Sequence, residues 1–104
     1  MILVIHPYTH PDPAVRSERV ARAALYVDGL KAAGKRAIAT CVCTHEMEGV
    51  PVTWEAWWRL NRALVEAADE VHVLRLPGWA ESGGVVSEIA HAREIGRTVV
   101  EVTP

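Results

Sequence analysis

Ile2-Leu3-Val4-Ile5-His6-Pro7-Tyr8-Thr9-His10-Pro11-Asp12-Pro13 holds a strand, a loop and a helix start in twelve consecutive residues. Ile2–Ile5 is an unbroken apolar run of strand length, the pattern of a strand buried on both faces rather than one alternating between core and solvent. His6 to Pro11, with two prolines, two histidines and a tyrosine, reads as loop. Asp12 then offers a side-chain acceptor to the first free amides of a helix, and Pro13 suits its first turn. From there Val20, Ala24, Val27 and Leu30 recur at helical spacing until Gly34 ends the segment.

The same alternation repeats to the end of the chain. A second strand is predicted over Ala37 to Val42, followed by a loop from Thr44 to Val52 that contains Gly49 and Pro51. Thr53 caps a second long helix, with Glu55 in its first turn and Trp57, Leu60, Leu64, Ala67 and Ala68 as its apolar stripe. Val71 to Leu76 is the third strand, broken by Pro77-Gly78. Ser82-Gly83-Gly84 opens a third helix with Val85, Ile89 and Ala92 inward, Gly96 closes it, and Thr98 to Val102 is the last strand. Strands separated by helices need crossovers. The expected architecture is therefore a single α/β domain over residues 1–104, a three-layer α/β/α sandwich on a parallel sheet. It is Rossmann-like or flavodoxin-like, with strand order 2-1-3-4.

Composition sets the outer limits. The 104 residues are half apolar and 23% charged, enough for one domain with a core of its own. A net charge of −2 argues against a general polyanion-binding role, so no polymeric nucleic acid is expected as partner. No apolar run has the length to span a bilayer, and the opening run meets His6 and Pro7 too early for a signal peptide. No membrane association is expected. Cys41 and Cys43 are then reduced thiols of a cytoplasmic protein.

In open parallel sheets ligands bind beyond the carboxyl ends of the strands, at the switch in strand order. The residues following each strand carry most of the chain's unusual side chains: His6, Tyr8, Thr9 and His10; Cys43, Thr44, His45 and Glu46; Trp79, Glu81, Ser82, Gly83 and Gly84. Ser82-Gly83-Gly84 at a helix start allows close backbone approach and favours an anion, while a plain serine cap with a glycine turn is the simpler explanation. Glu88, one to two turns further on, is placed near the cleft on the flank of the helix's stripe. Asn61 lies beside Trp57 and Leu64 on the inward side of its helix, where an amide either satisfies backbone or faces the cleft. Trp79 and Tyr8, in the loops, are candidates to stack on a base. Trp54, Trp57 and Trp58 suit core or subunit contact, and Arg16 and Arg19 are solvated or reach a phosphate. His72 and His91, inside elements, read as structural. Cys41, Cys43 and His45 would share one face of an extended strand as soft-metal ligands, against the commoner role of buried cysteine as a small core residue. No metal site and no cofactor is assigned.

Ile5-His6-Pro7-Tyr8-Thr9-His10-Pro11-Asp12-Pro13 with Arg19, together with Ala68-Asp69-Glu70-Val71, Leu76-Pro77-Gly78-Trp79 and Glu81-Ser82-Gly83-Gly84-Val85 to Glu88-Ile89, resembles a small uncharacterised bacterial and phage family. That family is similar to nucleoside 2-deoxyribosyltransferases and nucleoside-monophosphate N-glycosidases, and the resemblance spans roughly Leu3 to Val102. It implies that Glu88 is a nucleophile at the anomeric carbon of a nucleoside or nucleotide. By the same resemblance Ser82, with the amides of Gly83 and Gly84, contacts a 5′-phosphate, and His6 and Tyr8 line the sugar or base pocket. It also implies a homodimer or higher homo-oligomer. The related enzymes often carry a tyrosine where this chain has Leu3, and an aspartate where it has Asn61. An amide hydrogen-bonds but does not transfer protons. A non-catalytic nucleotide-binding module that kept the helix start is therefore the alternative expectation.

Overall fold

A computed structural model describes residues 1–44 and 53–104, and of Cys43 and Thr44 only the backbone. The described elements run β1 (Ile2–Ile5), α1 (Pro13–Ala32), β2 (Ala37–Ile38), α2 (Thr40–Thr44), α3 (Trp54–Ala67), β3 (Glu70–Leu74), a 3-10 turn (Trp79–Glu81), α4 (Gly83–Glu94) and β4 (Thr98–Val102). The sheet is parallel throughout, in the order β2-β1-β3-β4. Strand β1 sits inside it, pairing Ile2 with Ala37 on one side and with Glu70 on the other. That position explains its unbroken apolar run, because all four residues are buried.

The period-two alternation of β1 feeds two cores. Leu3 and Ile5, with Val71 and Val73 of β3, meet Val65 and Ala68 from the end of α3 and Val85 and Ala92 from α4. Ile2 and Val4, with Leu74 and Leu76, meet Ala23 and Val27 of α1 on the opposite face. This is the expected sandwich. Among the described residues no helix is long and apolar enough to cross a membrane.

The helix starts follow local chemistry. Asp12 accepts from the Ala14 amide, Thr53 from that of Ala56, and Ser82 from that of Val85. Gly34, two residues past the end of α1, turns the chain away with a φ of +81°, which suits a residue without a Cβ.

Four expectations need correction. The second strand does not reach Val42: it pairs only Ala37 and Ile38 with β1, and Thr40–Thr44 turn into a short helix. Residues two apart on a helix lie about 200° apart, so Cys41 and Cys43 share no extended face and the geometry of the metal reading is lost. His45, Glu46, Gly49, Pro51 and the Cys43 side chain lie outside the described residues. The stripe of α3 is rotated: Leu60 and Ala67 point outward, while Val65 is fully buried. On α1 the inward residue is Ala23, with Ala24 at its margin. Strand β3 starts one residue earlier and ends two earlier than Val71–Leu76. The Arg75 amide still donates to the Val102 carbonyl, and Leu76 stays buried as the chain turns away.

Candidate functional site

A cleft of about 230 Å³ opens beyond the carboxyl end of β1, at the point where strand order reverses between β1 and β3. Each side of it comes from a different element. The turn after β1 supplies His6, Tyr8 and Thr9, and α2 supplies Cys41. The first two turns of α3 supply Trp54, Trp57 and Asn61, and the start of α4 supplies Gly84, Val85 and Glu88. Trp54, Trp57 and Asn61 fall three and four residues apart, so α3 presents them along one face. Gly84 and Glu88 are likewise one turn apart on α4.

Glu88 is 8% exposed, and the loss of water around its carboxyl pushes its pKa up to about 8, so the group is mostly protonated at neutral pH. Its Oε1 leans back over the first turn of α4, 3.8 Å from where a Cβ on Gly84 would stand. His6 is buried as well. Burial, with a smaller contribution from the Arg19 charge, holds its pKa below the usual histidine value. Its Nδ1 lies 2.9 Å from the Pro7 carbonyl. A carbonyl only accepts, so Nδ1 carries the proton and donates. The Cys41 thiol, pushed up to about 12 by burial and by the neighbouring Glu88, stays protonated. At neutral pH the polar groups of the cleft are therefore largely uncharged.

Arg19 ties together the two loops beside the site. One of its guanidinium nitrogens donates to the Thr9 carbonyl at 3.0 Å and the other to the Pro77 carbonyl at 3.0 Å. Arg16 donates to the carbonyls of His10 and Pro11. Both guanidinium groups bind backbone, which sets the shape of the loop following β1.

Of the residues expected to carry catalysis or bind substrate, the cleft gathers His6, Tyr8, Asn61, Gly84 and Glu88. Ser82 caps α4, its Oγ taking the Val85 amide at 3.3 Å, and neither it nor Gly83 is among the lining residues. Trp79 lies elsewhere, packed on the core of the α3–α4 face with the Arg75 guanidinium 4.6 Å above its ring. His72 accepts or donates a hydrogen bond with Tyr26 at 2.6 Å, and His91 pairs with Glu66 at 3.0 Å. Both histidines thus tie one element to another, outside the cleft.

Sequence reasoning missed Cys41, Trp54 and Trp57 as wall residues. For Trp57 a partial signal was present, since Asn61 one turn later was placed on the inward side of the helix, against backbone or cleft. For Cys41 there was none, because its placement depends on the chain leaving β2 after two residues.

The profile of a protein family described as a domain of unknown function (DUF1937) matches residues 1–103, and the chain belongs to that family. No curated protein matches the chain.

Proposed function

We propose that this member of the DUF1937 family is a cytoplasmic N-glycosidase or 2-deoxyribosyltransferase-like enzyme acting on nucleosides or nucleoside 5′-monophosphates, with Glu88 as nucleophile. The observation that carries the reading is the buried carboxyl of Glu88, which lines a cleft with aromatic walls at the switch point of a parallel sheet. The resemblance of the His6–Pro13 and Glu81–Ile89 stretches to nucleoside-processing enzymes supports it.

In the forward step an oxygen of ionised Glu88 bonds to the anomeric carbon and the bond from that carbon to the base nitrogen breaks. The electron pair leaves on the base, which takes a proton from water. Water, or the nitrogen of a second base, then attacks the anomeric carbon of the glycosyl ester. The carboxylate is released and the incoming nucleophile's proton passes to solvent. Asn61 holds a base or sugar group by hydrogen bonding and moves no proton. Trp54, Trp57 and Tyr8 supply flat surfaces against which a base can lie.

The test is chromatographic detection of free base from a panel of nucleosides and 5′-monophosphates. Glu88→Gln is expected to lower turnover at least a hundredfold, as loss of a nucleophile does, with ligand binding retained. Turnover by the variant equal to that of the native chain would overturn the assignment. Asn61 in place of an acidic group favours the second reading, a nucleotide-binding module without catalysis. Its signature is thermal stabilisation by a nucleotide with no base released.

A further inference from the structure

The state of the buried polar atoms in the cleft bears on the form of its ligand, given the nucleoside-directed reading above. His6 is 6% exposed and neutral, with its proton committed to the Pro7 carbonyl through Nδ1. Its Nε2 is left as a lone pair that is buried and has no hydrogen-bond partner among the described residues. Asn61 Oδ1 is also buried and, among the described residues, unpartnered. Acceptors withdrawn from water without a donor are costly, and the cost is recovered by a ligand group that donates to them. A sugar hydroxyl donates. A phosphate group, largely dianionic at neutral pH, is chiefly an acceptor.

The charges nearby point the same way. None of the described residues lining the cleft is lysine or arginine, and residues 45–52 contain neither. The Arg16 and Arg19 guanidinium groups are engaged by the backbone carbonyls of His10 and Pro11, and of Thr9 and Pro77. The first turn of α4, where helix amides would otherwise receive an anion, already faces the carboxyl of Glu88. A phosphate brought here would give up water beside a carboxyl, with no lysine or arginine among the described lining residues to meet it directly. An uncharged ligand meets neither penalty.

We infer that the cleft takes its ligand as an uncharged, hydroxyl-bearing nucleoside in preference to the 5′-monophosphate, with His6 Nε2 accepting a hydrogen bond from a ligand hydroxyl and acting as a specificity-determining residue.

Calorimetric titration of the whole chain at pH 7 tests this with matched pairs: thymidine, 2′-deoxyuridine, 2′-deoxyadenosine and 2′-deoxyguanosine, each against its 5′-monophosphate. The nucleoside is expected to bind at least about tenfold more tightly than its partner. His6→Phe, which removes the acceptor, is expected to weaken nucleoside binding roughly tenfold, while His6→Gln, which keeps one, loses less. Equal or tighter binding of the monophosphate overturns the inference, as does His6→Phe binding nucleoside like the native chain. If base is then released from the monophosphate in a Glu88-dependent way, the glycosyl-transfer reading stands and only the preference for an uncharged ligand falls. Absence of both binding and base release across the panel removes the two together. The comparison within pairs uses the native chain alone, so it holds whether or not His6→Phe folds.

Discussion

Glu88 holds a proton at neutral pH because α4 buries its carboxyl against the cleft, and that single fact shapes two measurable behaviours. A nucleophilic carboxylate must be ionised, so kcat/KM for base release should climb with pH and level off above about 8, the value to which burial raises this group. A profile already flat from pH 6 would count against Glu88 as the attacking group. The same shift acts on stability with a defined sign. The folded chain keeps the Glu88 proton up to about pH 8, whereas the unfolded chain loses it near the ordinary glutamate value. Stability contributed by this group therefore falls as pH rises through that window and is constant above it. Glu88→Gln should raise the melting temperature at pH 8.5 relative to the native chain, by roughly 4–8 °C per kcal/mol recovered, with little change at pH 5. Thermal unfolding at the two pH values reads the difference. Glu88 was legible as a candidate from its place after Ser82-Gly83-Gly84. Its burial was not, because that depends on how α4 packs with the distant segments that line the same cleft.

Elements were most legible where local chemistry sets their ends. Asp12, Thr53 and Ser82 each cap the helix they precede, since a short polar side chain there satisfies an amide that no helical carbonyl can reach. The loop after β3 rests on a different device. Gly78 has a φ of +92°, and a Cβ there would stand 3.1 Å from a guanidinium nitrogen of Arg19. Gly78→Ala combines backbone strain with pressure on the arginine that ties this loop to the one bearing Thr9. A loss of about 1–3 kcal/mol is expected in urea unfolding. An unchanged midpoint would show that the loop absorbs the change. The second strand was misread for a reason at this same scale. Thr40-Cys41-Val42 has strand-like composition, yet β2 lies at the sheet edge and pairs only two residues before the chain turns into α2. Composition is a weak guide where there is one neighbour instead of two.

The whole molecule leaves several large apolar side chains in water: Leu25 is 73% exposed, and Trp54 and Leu60 of α3 are about half exposed. Trp54 and Leu60 stand on α3 and the half-exposed Val86 on α4, the two long helices that wall the cleft, in keeping with the expectation of at least a dimer drawn from the family resemblance. Light scattering at high protein concentration should report a mass above the 11.4 kDa of one chain, and a monomer would contradict it. The alternation of four strands with three long helices, the parallel sheet and its 2-1-3-4 arrangement were readable from the sequence alone, and the short helix α2 was not. Apolar runs of strand length, helix caps and crossover handedness are local or topological constraints that need no knowledge of distant contacts. Which face α3 turns inward, where Cys41 points, and whether His6 and Glu88 lie in water were decided only by the tertiary structure. Each depends on packing between segments far apart in the chain, and the removal of water by that packing is what keeps both groups uncharged.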